Sequence, residues 1–240
     1  MASWDADALV ELRAAAFRRD GAAGFAVLRN RPLAPVLQFA GDLLADALNQ
    51  ADAGGGRDAS GGLRRDDVEA LARKCLEALE GRDAAGDDLL ADTLRDALGA
   101  PPRAHPPLRE PVPVDLGALA YALAEGGPVT FLDLRTGDLL DEDELHDLHE
   151  HAEQDHGRRL QAVYAEAAEA AASADDDMHD FADIEPNTPA PMRDVHAYKE
   201  VLAGTRLEFA WSLFREERQR GRARRWLADH GLEPAPRRFL

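Results

Sequence analysis

The feature that most limits the fold is APPRAHPPLREPVPV, residues 100–114, where prolines stand at 101, 102, 106, 107, 111 and 113. Proline fixes φ and donates no backbone N–H, so such a stretch cannot run as helix or as the middle of a sheet. It reads as a stiff, extended linker over 100–113. That divides the 240 residues into a part of residues 1–99 and a part of residues 114–240, each long enough to bury its own core.

Helical spacing dominates the first part. Leu9, Leu12, Ala16 and Phe17 share one face of a helix that Ser3 can cap. Pro35 sits where a second helix can begin, followed by Val36, Phe39, Ala40, Leu43 and Ala47 at helical intervals. Asp66 and Glu69 have capping-box spacing ahead of Val68, Leu71, Ala72, Cys75, Leu76 and Leu79. A fourth helix over 87–98 presents Leu90, Leu94 and Ala97. Four short helices with apolar stripes predict a small helical bundle. The glycine-rich stretch 51–62 lacks the lysine of a phosphate-binding loop and follows no strand pattern, so it reads as a flexible connection.

In the second part Asp115 caps a helix carrying Leu116, Leu119, Ala120 and Leu123. TFLDLRTGDLLDEDEL, residues 130–145, then concentrates carboxylates around one glycine. An EF-hand register starting at Asp133 places Arg135 and Gly137 where oxygen ligands are required, and only Glu144 fits. A hairpin fits better: Val129–Leu134 is rich in β-formers and Gly137 can adopt positive φ. Asp141 and Glu144 form a second capping box, with Glu142 and Asp143 favoured at the positive end of the helix dipole. Further helix is expected to about residue 156 and again over 158–173, while the acids and prolines of 175–191 are expected to break it. Phe181 and Ile184 would anchor a short extended piece there. A last helical region over 194–230 is interrupted near Gly204. The fold class expected is mainly α (α+β): a helical bundle, then an α-rich module with one short β-hairpin.

Charge narrows the partners. The net charge of −18 opposes general attraction to nucleic acid or anionic membranes. It is uneven: residues 114–190 hold 3 basic and 20 acidic groups, whereas 205–240 hold 9 and 5. Arginine outnumbers lysine 26 to 2, which we read as the codon bias of a GC-rich bacterial genome. No apolar run reaches the ~18 residues of a membrane span, and the N-terminal stretch is acidic where a secretory signal would be basic. A cytoplasmic protein is the expectation. The lone Cys75 rules out an internal disulfide, and its place on an apolar helix face predicts an inert, buried thiol.

Two places could carry chemistry. On HDLHEHAEQDH, His146, His149, Glu150 and Glu153 fall at helical spacing, a donor set able to hold zinc or another divalent ion. The competing reading is a solvated acidic helix, and it is favoured because the sequence is no recognised metal motif. No cofactor is therefore expected. In the terminal helix, Arg215, Arg218, Arg222 and Arg225 form a stripe continuing the line of Trp211, with Trp226 beyond. Leu207, Ala210, Trp211, Leu213 and Phe214 lie opposite Ala223, Trp226 and Leu227, so the helix must bend near Gly221 or bury different faces in its two halves. The arginines can contact phosphates or pair with the acidic middle, and pairing is preferred.

VDLGALAYALAEGGPVTFLDLRTGDLLD resembles the opening of uncharacterised protein family 0158, through Phe131, Leu132, Asp133, Thr136 and Gly137, with Asp138 in place of Glu. FADIEP followed by Met192–Asp194, AYKEVL at 197–202, and Trp211, Phe214, Arg215, Glu216, Trp226, Leu227 and Gly231 continue the likeness over residues 114–231. A glycine-containing GxGAFRRF stretch of that family is missing. The resemblance implies a capped helix, a hairpin, and a short strand leading into helix, and it brings no established activity. The leading functional expectation is a non-catalytic interaction or regulatory protein that binds a protein partner or itself. Nucleic-acid contact through the arginines comes second, and a metal-dependent enzyme built on the 146–156 helix third. No membrane partner is expected.

Overall fold

The computed structural model describes residues 3–53, 63–101, 107–124, 129–151, 159–164 and 167–235, with the side chains of 147–151 and 167–168 outside the description. The protein is mainly helical with a small β content and divides into two compact units, Met1–Leu108 and Arg109–Leu240.

The first unit contains α1 (Ala6–Arg18), α2 (Gly21–Leu28), a 3-10 turn Ala34–Val36, α3 (Leu37–Ala53), α4 (Arg65–Arg82) and α5 (Asp87–Ala97). Asp5, not Ser3, caps α1, its carboxylate accepting the Ala8 N–H at 2.8 Å. Helix α4 begins at Arg65, so Asp66 lies inside its first turn, and Glu69 pairs with Arg65 instead of closing a capping box. Pro35 sits in the 3-10 turn that leads into α3, matching its expected place at a helix start. Helix α3 is the hub: it packs on α1, α2, α4 and α5, and Phe39, Ala40, Leu43, Leu44, Ala47 and Leu48 are all buried. A helix apolar on most sides belongs in the middle of a bundle.

Helix α2 escaped the periodicity reading, and its short GAAGFAVL sequence explains its position. A Cβ on Gly21 would lie 2.2 Å from the backbone nitrogen of Ala47, and one on Gly24 would lie 2.7 Å from Leu43. The two glycines let α2 and α3 approach more closely than side chains allow. Cys75 is buried as expected. A polar cluster sits in the interior as well. Asp87, 1% exposed, accepts from Gln38 at 2.9 Å, from Arg82 at 2.6 and 2.8 Å, and from the Ala84 N–H at 2.9 Å. Every oxygen of that carboxylate is engaged, which is the condition for burying charge without a large loss of stability.

The second unit starts earlier than the linker reading placed it. Residues Glu110–Val112 form β1, which pairs in parallel with β5 (Leu232–Pro234). Glu110 donates to the Gly231 carbonyl and Ala235 to the Val112 carbonyl, both at 2.8 Å. The intervening Pro111 therefore occupies a position whose missing N–H breaks no pairing. Next come α6 (Leu116–Ala124), β2 (Thr130–Asp133), β3 (Leu139–Leu140), α7 (Glu142–His151), β4 (Leu160–Val163), α8 (Ala167–Ile184), α9 (Val195–Leu202) and α10 (Arg206–Asp229). The sheet order is β3-β2-β4, all antiparallel. The hairpin is as expected, with Gly137 at φ 76°. A Cβ there would also meet the Pro113 carbonyl oxygen at 2.0 Å, so glycine is required twice over.

Two expectations fail in this unit. Residues 160–163 are a strand, not helix, because they pair with β2 over Thr130–Asp133. The acidic segment 175–184, expected to break helicity, instead completes the 18-residue α8, so Phe181 and Ile184 are helical and no extended piece exists there. Met178 and Phe181 are buried while Asp175, Asp176, Asp180 and Asp183 stay exposed. These four acids thus lie away from the buried residues, the fifth, Asp177, is buried against Arg222, and burial of the apolar face overrides the poor helix propensity of aspartate.

Helix α10 organises the unit. Its first half puts Leu207 and Trp211 into a cluster with Met178, Phe181, Tyr198 and Leu202. Its second half puts Ala223 and Leu227 into another cluster with Val112, Leu119, Leu132, Val163 and Leu232. Of the two alternatives left by the sequence, the helix buries different faces in its two halves and remains one continuous element.

Candidate functional site

Three carboxylates of the hairpin and the start of α7 are used locally. Asp133 is buried and accepts the N–H groups of Arg135 at 2.9 Å and Thr136 at 3.3 Å, folding its own turn. Asp141 and Glu144 make the expected reciprocal box: Glu144 N–H to Asp141 at 2.8 Å, Asp141 N–H to Glu144 at 3.0 Å. His146 is exposed on α7. The side chains of His149 and Glu150, and all of Glu153, lie outside the described residues. Among the described residues no group of three or more His, Cys, Asp or Glu is placed to hold a metal ion.

The arginine stripe faces α8. Arg222 holds Asp177 through two bonds of 2.9 and 2.6 Å, and Arg218 holds Asp180 at 2.7 Å. The spacing explains the match: Asp177 and Asp180 are three apart, Arg218 and Arg222 four apart, so each pair projects from one helix face toward its counterpart. Asp177 is buried, which makes the pair with Arg222 the more consequential of the two. Arg215 lies 5.8 Å from the Trp211 ring centroid, and Arg218 5.1 Å from that of Phe214. Arg225 is half-buried.

Trp211 does not serve as a surface anchor. It is 2% exposed, with edge contacts to Phe181 at 5.2 Å and Tyr198 at 5.0 Å. Its role is internal packing, which corrects the expectation that placed it on a contact surface. Burial pushes the Tyr198 phenol above its ordinary range. Neither the Tyr198 hydroxyl nor the Trp211 indole N–H has a hydrogen-bond partner among the described residues. Trp226 is half-buried, packs on the second cluster and lies 4.1 Å from the His230 ring.

Beside these arginines α6, α8 and α10 border a groove of about 160 Å³, lined by Leu123 and Ala124, by Tyr164, Glu169, Ala170 and Ser173, and by Arg215, Gln219, Arg222 and Trp226. Sequence reading found Arg215, Arg222 and Trp226 but not the groove or the other residues lining it. The missed signal was the alignment of Arg215, Gln219, Arg222 and Trp226 at intervals of four, three and four. The buried Glu217, Arg220 and Arg224 were missed as well, since charged residues are rarely placed inside from sequence alone.

Compared with protein-family models, curated proteins and solved structures, the chain matches none. No described helix is long and apolar enough to cross a membrane.

Proposed function

We propose that this is a non-catalytic interaction or regulatory protein whose contact surface lies on the second unit, outside the paired arginines. One observation carries the reading: Arg218 and Arg222 are already held by Asp180 and Asp177. Each of these arginines is already neutralised by a carboxylate, which lowers its pull on a phosphate backbone and weakens the nucleic-acid alternative. The second unit meanwhile presents Tyr121 at 67% and Tyr164 at 58% exposure, amphipathic rings of a kind enriched at protein interfaces. The resemblance to uncharacterised protein family 0158 is consistent with a role outside known catalysis and stands as a proposal alongside it.

The test joins size-exclusion chromatography with light scattering to a pull-down, using wild type and a Tyr121→Ser, Tyr164→Ser double variant. The reading expects a stable complex or a dimer that the double variant loses while remaining folded. A monomer that captures nothing, or capture unchanged in the variant, contradicts it.

A further inference from the structure

We infer that the groove between α6, α8 and α10 is a binding site for a small organic carboxylate with an apolar body. This goes beyond the interaction reading and does not depend on it. Arg222 supplies the anion contact. Its guanidinium has five N–H donors, and the buried Asp177 engages two of its nitrogens, at 2.9 and 2.6 Å. That grip holds the side chain in place beside the groove and leaves donors over, so little entropy is lost when an anion meets it. Gln219, one turn before, adds an amide.

The remaining walls set the ligand's body. Leu123, Ala124 and Ala170 are aliphatic, and Trp226 gives an aromatic surface suited to a ring or a short chain. A volume of about 160 Å³ is below the few hundred Å³ of drug-sized sites, which excludes nucleotides and folded peptides. Charge selects a monoanion. Arg215 and Arg222 line the groove together with Glu169, and Asp177 already neutralises Arg222, so little net positive charge is left for a dianion such as inorganic phosphate.

Phenylacetate is a direct probe, titrated into the full chain by calorimetry alongside 2-phenylethanol and inorganic phosphate. The expected result is saturable phenylacetate binding in the millimolar range, with the neutral alcohol weaker by about tenfold. Arg222→Gln should weaken it by a similar factor. Because that change also leaves Asp177 without its partner, Ala170→Leu serves as the second variant: it fills the groove, keeps the ion pair and should abolish binding. Three results overturn the inference: no saturable phenylacetate binding, equal affinity for the alcohol or phosphate, or undiminished affinity in Ala170→Leu.

Discussion

The two units are held together in different ways. In the first, the deeply buried Asp87 is saturated by Gln38, Arg82 and a backbone N–H, and α2 and α3 meet through glycines. In the second, one helix crosses two apolar clusters, joins α8 through paired charges, and leaves the Tyr198 hydroxyl and the Trp211 N–H without partners among the described residues. The first unit is a bundle fixed by close packing. The second is a mixed assembly fixed by α10, and buried polar atoms without a partner among the described residues occur in both, Asp46 Oδ2 in the first and the Tyr198 hydroxyl in the second. Completed polar networks favour a single rigid arrangement; partly completed ones leave stability to be gained by simple substitutions.

The largest expected effect tests whether α10 holds the second unit together. Trp211→Ala should destabilise that unit by about 3–5 kcal/mol, read as a lower midpoint in denaturant, with the unfolding of the first unit unchanged. A shift of both transitions by the same amount would erase the contrast. In the first unit, Gly21→Ala drives a methyl into the Ala47 backbone and should cost about 1–3 kcal/mol. A neutral result there would mean that α2 and α3 are not locked by close approach.

A smaller change should run in the opposite direction. Tyr198→Phe removes a buried hydroxyl that has no partner among the described residues and should leave the second unit unchanged or more stable, by about 1 kcal/mol. A clear loss of stability would show that the hydroxyl is satisfied in solution.

The smallest effect is one of pH. Burial holds the Asp46 carboxyl above its ordinary range despite the Arg19 guanidinium 2.6 Å away, and one of its oxygens has no hydrogen-bond partner among the described residues. The folded state thus binds this proton more tightly than the unfolded chain. The stability it contributes is complete below the ordinary carboxylate pKa and is lost as pH rises through the raised one. Wild type should therefore gain stability relative to Asp46→Asn as pH falls through that window. Identical pH profiles for the two proteins would contradict the raised value.

Legibility in the sequence mostly followed the distance over which each feature is determined, although two local caps, Ser3 and the Asp66–Glu69 box, were misplaced. The Asp141–Glu144 box, the Gly137 turn and the helix start at Pro35 depend on neighbours within four residues, and all were readable. The strand at 160–163 was not. Leu160 and Val163 suit a helix face equally well, and pairing with Thr130–Asp133 decides the matter from thirty positions away. The DDDMHDF segment misled because its aspartates suggest a breaker, while its partners, Trp211 and Arg222, stand on another helix. Pro111 hid β1 because only the partner strand reveals that its N–H is not needed. The arginine stripe was visible as a stripe, and its commitment to Asp177 and Asp180 was the preferred outcome of the charge distribution. The groove beside it needed three helices to come together, so no local pattern announced it.

The central claim is that the arginines of α10 are internal fasteners. A double-mutant cycle on Arg222→Ala and Asp177→Ala, followed by denaturant unfolding, measures it most directly. The account predicts that the two single changes and the double change cost similar amounts, with a coupling of about 1–3 kcal/mol. Strictly additive effects, with no coupling, would contradict it and return Arg222 to the solvent-facing surface.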